Sequence, residues 1–298
     1  MQAIFTTGTA KDEVFSPEYG ANFINGNGGI DRVDYSALKE PITVKLHDGL
    51  DPSIVYVGTE PRDVLIDVDD ITGGIGDDHL TGNTQTNKFN GGLGQDTLDG
   101  GEGLDFAEYT DRSLPIAVKL SSDSPSIVYV NGMAEDTLIN IENIIGGSGN
   151  DYIVGTDDYN LLFGGDGDDI LEGKGFVDAL SGGAGADTFV YRSFRDSTPD
   201  QKDWIADFNR IEGDRFEMSH VDADINKAGH QTLTFNGNQA QPHSIWYECE
   251  GFTPFANNKI GGYYVINIFA DVNGDTSEDF AVTAYSQSPL ILHNDFIL

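Results

Sequence analysis

Three nonapeptides decide the fold of this chain: Gly146–Val154 (GGSGNDYIV), Gly164–Glu172 (GGDGDDILE) and Gly182–Val190 (GGAGADTFV). They share the pattern G-G-x-G-x-D-x-U-x, in which U is a large apolar residue. Gly73–Thr81 (GGIGDDHLT), Gly91–Asp99 (GGLGQDTLD) and Gly100–Glu108 (GGEGLDFAE) repeat it, with Ala107 the one small residue at U. The rows between keep the nine-residue frame. Gly82–Asn90 carries Asn87 at the aspartate position, Gly155–Phe163 carries Asn160, and Gly173–Ser181 keeps Asp178. Towards the N-terminus, GNGGIDRVD at 26–34 is preceded in frame by PEYGANFIN and GTAKDEVFS, which sets Glu13 opposite Asp31. A fixed period of this kind marks stacked repeats.

The residue types explain the period. Glycine permits the positive φ and tight turns that other residues resist. The trailing x-U-x is a short strand whose U side chain points inward, since side chains alternate across a strand. Nine residues therefore make one turn and one strand, and eighteen make a coil. Each row then lies on the row 18 residues later, about 4.8 Å away. That stacks turn 73 on 91, 82 on 100, 146 on 164, 155 on 173 and 164 on 182. Asp78 then faces Asp96, Asp151 faces Asp169, and Asp169 faces Asp187. Carboxylates in register repel one another unless a cation lies between them. Turn carbonyls add further oxygen donors, and an all-oxygen set of six or more suits Ca²⁺ better than Mg²⁺. No Cys or His shares these turns at ligand spacing, which argues against zinc. The neutral Asn87 and Asn160 predict weaker sites with Asp105 and Asp178, and the N-terminal turn offers Asp31.

A longer repeat joins three blocks that start near Gly8, Gly73 and Gly146. PITVKL starts at Pro41 and PIAVKL at Pro115, and PSIVYV follows each. DVLIDVDDITGG from Asp63 leads into the second block and DTLINIENIIGG from Asp136 into the third, an offset of 73 to 74 residues. Apolar alternation reads as strand. Whether these segments continue the coil or form separate sheets stays open at this point. The expected segments are 1–72, 73–145, 146–190 and 191–298.

The chain has 298 residues, with 50 acidic and 16 basic, so its net charge is −34. Such a charge opposes compaction unless something cancels it. It argues against nucleic acid as a partner, because phosphate binding needs Lys and Arg patches. A divalent metal is the natural counter-charge. Glycine makes up 37 of 298 residues, about 12% against a usual ~7%. Cys249 is the only cysteine, so no internal disulfide forms, and a packed free thiol is expected. MQAIFTTGTAKDEVF lacks the basic and apolar regions of a cleavable signal peptide. No apolar run approaches the ~20 residues of a membrane span.

The nonapeptides resemble the RTX (repeat-in-toxin) calcium-binding family. That resemblance implies an all-β fold, a right-handed parallel β-roll in stacked blocks. It also implies ions held by carbonyls at positions two and four and the aspartate at six of one turn. Carbonyls at one and three and the aspartate at six of the next turn complete each set. Carried over, one set is Gly74, Gly76, Asp78, Gly91, Leu93 and Asp96. A second is Gly147, Gly149, Asp151, Gly164, Asp166 and Asp169, and a third is Gly165, Gly167, Asp169, Gly182, Ala184 and Asp187. About four to six Ca²⁺ ions follow, with Asp105, Asp178 and Asp31 at further turns. The tail, ADTFVYRSFRDS from Ala186, DWIADFNRIEGDRFEMS from Asp203, DVNGDTSEDFAV from Asp271 and the final DFIL, is similar to the domain that follows the roll in serralysin-type metalloproteases. That resemblance implies a β-rich capping domain with an uncleaved C-terminal signal for the type I secretion machinery. The expected location is outside the cell, or at its surface.

Catalytic motifs are missing. Serralysins carry HExxH, but here His47, His79, His220, His230, His243 and His293 are scattered. There is no GxSxG elbow, and Tyr19 and Gly20 do not extend into an alginate-epimerase motif. Asp271, Asn273 and Asp275 begin like a calcium loop, but Gly274 comes one place early and Val282 stands where Glu is required, so a polar turn is expected. Trp204 and Trp246 are expected in the core or cap. The leading expectation is a non-enzymatic calcium-binding module. The alternatives are a calcium-dependent adhesin binding an extracellular polysaccharide, and the non-catalytic end of a larger RTX enzyme.

Overall fold

Each nonapeptide gives a glycine turn and a three-residue strand, and the strands stack at the predicted offset. In the computed structural model, which describes residues 4–17, 20–254 and 262–298, Thr97–Asp99 pairs in parallel with His79–Thr81. Lys88 lies opposite Phe106, Tyr152 opposite Ile170, Leu161 opposite Ala179, and Ile170 opposite Thr188. Ile4 faces Asn22 and Val14 faces Arg32, so the N-terminal rows keep the same 18-residue step. The fold is all-β. Among the described residues there is no α-helix, only a 3-10 turn at His293–Asp295, and no helix long and apolar enough to cross a membrane. Tyr19 lies outside the described residues.

The U side chains make the core. Leu80, Phe89, Leu98, Ala107, Ile153, Leu162, Leu171 and Phe189 are completely buried. Each row adds one such side chain, so no row has an independent core and stability accrues row on row.

The chain forms two compact units, residues 1–111 with 116–145, and 112–115 with 146–298. In the first, one sheet is wholly parallel: Val14–Phe15, Arg32–Asp34, Asp70–Thr72, Lys88–Asn90, Phe106–Glu108 and Asn143–Ile145. The joining segments feed the opposite sheet. There Ile42–Lys45, Ser53–Val57 and Glu60–Ile66 form an antiparallel meander, and Ile116–Lys119, Ser126–Val130 and Met133–Ile139 form another. Their outer strands run parallel to the repeat strands, Ile42–Lys45 beside His79–Thr81 and Met133–Ile139 beside Thr97–Asp99. The joining segments therefore continue the coil.

In the second unit the coil extends past the last nonapeptide. Asp203–Phe208 pairs with Ala179–Ala184, Arg215–Glu217 with Thr188–Val190, and Phe296–Ile297 with Arg215–Glu217, all parallel. An antiparallel sheet follows, with Gly262–Ala270 between Phe280–Ser286 and Ser244–Pro254. Phenylalanines fill the last coils. Phe208 and Phe216 stack at 4.6 Å between centroids, and Phe216 and Phe296 at 5.4 Å.

Two expectations fail here. Cys249 is exposed, because it falls on an outward-facing stretch of Ser244–Pro254. Trp204 is 52% exposed on the outer face of its strand, where the neighbouring inward position belongs to Ile205; Trp246 is buried as expected. Asp271 is the hub of a polar turn, accepting the N–H groups of Asn273, Gly274 and Thr276 at 2.7–3.0 Å.

Replacing Phe216 by Ala is expected to cost about 3–5 kcal/mol of stability. Ile211→Ala, at a residue 81% exposed, should stay within about 0.5 kcal/mol. Urea unfolding in millimolar calcium measures both.

Candidate metal centre

Every repeat aspartate turns inward over the first glycine of its own turn. A side chain at Gly91 or Gly164 would collide with the carboxylate of Asp96 or Asp169, so only glycine fits. Asp31, Asp105, Asp169, Asp178 and Asp187 are all 0% exposed, and Asp78, Asp96 and Asp151 are no more than 2% exposed.

One carboxylate oxygen of each upper aspartate is committed. Asp96 Oδ1 accepts the Asp78 N–H at 2.8 Å, Asp105 Oδ1 that of Asn87 at 2.7 Å, and Asp169 Oδ1 that of Asp151 at 2.7 Å. Asp178 accepts from Asn160 at 2.8 Å, Asp187 from Asp169 at 2.9 Å, and Asp31 from Glu13 at 3.0 Å. The structure thus brings together all the stacked pairs that the sequence implies.

A cap on its own turn separates the first member of each run from those above it. Asp78, Asn87, Asp151, Asn160 and Glu13 each cap the N–H at position two of their own turn, from Gly74, Asn83, Gly147, Thr156 and Thr9. In Asp31, Asp105, Asp169, Asp178 and Asp187 the Oδ2 atom is buried with no hydrogen-bond partner. A buried carboxylate oxygen without a partner is costly unless a cation meets it.

The carbonyls face the same gaps. Gly92 (φ +86°) lies against the Gly74 carbonyl and Gly94 (φ +136°) against that of Gly76, while the Gly91 carbonyl faces Gly73. Gly165 and Gly167 sit likewise over the carbonyls of Gly147 and Gly149, and the Gly164 carbonyl faces Gly146. The Gly182 carbonyl faces Gly164. Some carbonyls also accept an inter-turn N–H: Gly74 from Leu93 at 2.9 Å, Gly147 from Asp166 at 2.9 Å, and Ala184 from Gly167 at 2.8 Å. A carbonyl oxygen has two lone pairs, so one remains for a ligand. No group of three or more His, Cys, Asp or Glu side chains among the described residues could hold a metal. The oxygens that face one another across a gap are then at most two carboxylates together with turn carbonyls. That hard, all-oxygen donor set fits Ca²⁺.

Sequence reasoning missed how far the ladder runs. Asp63 accepts the Asn22 N–H at 2.8 Å, Asp69 that of Asp31 at 2.8 Å, Asp136 that of Asp96 at 3.0 Å, and Glu142 that of Asp105 at 2.9 Å. Asp203 accepts from Asp178 at 2.9 Å and Asp214 from Asp187 at 3.0 Å. None lies in a nonapeptide. For four of the six the joining repeat held the signal, since it aligns Asp63 with Asp136 and Asp69 with Glu142.

Burial in a low-dielectric interior pushes the carboxyls of Asp31, Asp78 and Asp187 up to about 6, and those of Asp105, Asp169 and Asp178 up to about 7. Unfolded aspartate titrates near 3.9. The folded carboxyls hold their protons more tightly. Their contribution to stability is therefore full below about pH 4 and is lost as pH rises through 6–7. In chelator the chain should retain more strand signal at pH 5 than at pH 8. Saturating calcium should remove or reverse that order, because the ion stabilises the ionised form. Circular-dichroism spectra at both pH values check this.

The serralysin C-terminal profile of the M10 peptidases matches residues 94–298, and the RTX calcium-binding nonapeptide profile, in four copies, matches 69–107. Serralysin of Photorhabdus luminescens is 43% identical over 162 residues, which is 54% of this chain and 30% of that protein. Serralysin of Photorhabdus laumondii subsp. laumondii is 44% identical over 163 residues, 54% of this chain and 31% of that protein. The match spans less than a third of these relatives. The solution structure of a subunit of an Azotobacter vinelandii mannuronan C5-epimerase aligns at 21% identity and a TM-score of 0.30, over 52% of this chain and 71% of that one. With its nonapeptide coil and its coil-continuing tail, the chain belongs to the serralysin C-terminal family of the M10 peptidases and carries RTX calcium-binding repeats.

Proposed function

We propose that the chain is a secreted calcium-binding module that folds when it takes up ions outside the cell. The observation that carries this is the set of buried, unpartnered Oδ2 atoms on Asp105, Asp169, Asp178 and Asp187, with a carbonyl of the next turn beside those of Asp105 and Asp169. Calcium supplies the positive charge and links one coil to the next. Without it, a net charge of −34 and the entropy of glycine-rich turns oppose folding. Each ion bound only by the folded form adds about 2.7 kcal/mol at a hundredfold excess over Kd. Four to six ions then supply about 11–16 kcal/mol, as much as the whole stability of a domain, about 5–15 kcal/mol.

Extracellular calcium modules typically bind near 10⁻⁴ to 10⁻³ M, so a calcium-poor cytosol leaves the chain unfolded and exportable. The C-terminal signal for type I secretion fits this scheme. In the fold, Phe296–Ile297 pairs with Arg215–Glu217 and Phe296 is buried while Ile297 is 37% exposed, so folding would restrict access to part of such a signal. The same reading divides the chain into an N-terminal turn block (1–72), two loading blocks (73–145 and 146–190) and a capping and secretion region (191–298).

Exposed Trp204 favours a second reading, a calcium-dependent polysaccharide-binding surface on which the indole face stacks against a sugar ring. The serralysin match favours a related one, the non-catalytic part of a larger RTX enzyme.

Circular dichroism should show strand formation on adding calcium and its loss in EDTA, and equal structure in both would end the folding proposal. Asp169→Asn touches two stacked pairs, so calorimetry should show at least one ion fewer with the fold kept at high calcium. A glycan array probed with the native chain and Trp204→Ala, with and without calcium, tests the polysaccharide reading. Signals that ignore both changes would remove it.

A further inference from the structure

We propose that the two joining segments each complete a cation site, one at Asp31 and Asp69, the other at Asp105 and Glu142. Neither pair joins two nonapeptides. The proposal rests on the calcium reading above and extends it to residues outside the repeats.

Two interactions define a stacked pair of nonapeptide turns. The first glycine of the lower turn faces the carbonyl of the first glycine above, as Gly73 faces Gly91 and Gly146 faces Gly164. The lower position-six N–H donates to the upper carboxylate, as Asp78 does to Asp96 and Asp151 to Asp169. The joining segments reproduce both. Gly26 faces the carbonyl of Asp67, and the Asp31 N–H donates to Asp69 Oδ2 at 2.8 Å. Gly100 faces the carbonyl of Asn140, and the Asp105 N–H donates to Glu142 Oε2 at 2.9 Å.

The backbone is bent to do so. Asp67 and Asn140 sit at φ +53° and +48°, in the left-handed region that non-glycine residues rarely adopt. The two occupy equivalent places in the joining repeat, 73 residues apart, as do Asp69 and Glu142. The lower turn at Gly100–Asp105 also keeps the repeat conformation. Gly101 and Gly103 lie at φ +94° and +140°, against +86° and +136° for Gly92 and Gly94.

A second observation points to a ligand. Asp31 and Asp105 are both 0% exposed, and their Oδ2 atoms have no hydrogen-bond partner. Each faces the gap that a joining segment closes with a carbonyl and a second carboxylate. The donors are again all oxygen, so the ligand class is a hard divalent cation, Ca²⁺ first.

The test is a calcium titration of the full chain by calorimetry, comparing wild type with Asp69→Asn, Glu142→Gln and the double variant. Both amides keep the oxygen that accepts the N–H and remove the charge. The ion count should fall by one in each single variant and by two in the double. Unchanged counts in all three, with Asp169→Asn still losing an ion, would overturn this proposal and leave the calcium reading standing. A wild-type chain that takes up no calcium would overturn both. Anomalous scattering from terbium-soaked wild-type crystals decides the matter without a variant. Peaks about 2.3–2.6 Å from Asp31 Oδ2 and Asp105 Oδ2 support it. Peaks confined to gaps between two nonapeptides reject it.

Discussion

Each upper aspartate of the coil, such as Asp169, gives one oxygen to the N–H of the coil below, and the other stays buried. The first half of that arrangement fixes vertical register. A slip of one residue would move every inward side chain to the outer face and would also unmake each Asp-to-N–H bond. The second half is electrostatic. Carboxylates at 0% exposure, such as Asp169 and Asp187, are unfavourable as anions in a low-dielectric interior and favour protonation or a cation. Register and cation demand thus come from the same side chains.

The first carboxylate or amide of each run behaves differently, and the difference gives the asparagines a structural role. Asn87 takes the Asn83 N–H on its Oδ1 and donates Nδ2 to the Asp69 carbonyl at 2.6 Å. An amide can do both jobs, and a carboxylate cannot donate. The substitution of Asn for Asp at the foot of a run therefore suits the local hydrogen bonding.

The joining segments show how an interrupted repeat keeps its coil. Only one sheet receives the extra antiparallel strands, while the other continues in parallel through Asp70–Thr72 and Asn143–Ile145. Tyr109 marks one break. It stands where the next first glycine would fall, is buried, and donates its hydroxyl to Asp136 Oδ2 at 3.1 Å. At the far end the interior changes from aliphatic to aromatic, with Phe189, Phe208, Phe216 and Phe296 in sequence. These rings close the coil with a wide apolar plug in place of further turns.

The nonapeptides by themselves determined the coil, its 18-residue step, the inward row of U side chains and the facing of Asp78 on Asp96 and Asp169 on Asp187. They did so because glycine conformation and strand alternation are local properties that a short period repeats without error. The tertiary structure alone decided three further matters. It inserted the joining strands into a single sheet, left Trp204 and Cys249 exposed, and carried the carboxylate ladder on through Asp69, Glu142, Asp203 and Asp214. Those residues are brought to the ladder by pairings across 25 to 38 positions. The joining repeat aligns Asp69 with Glu142 but does not say what either meets, and only the packed coil brings the groups within hydrogen-bonding reach.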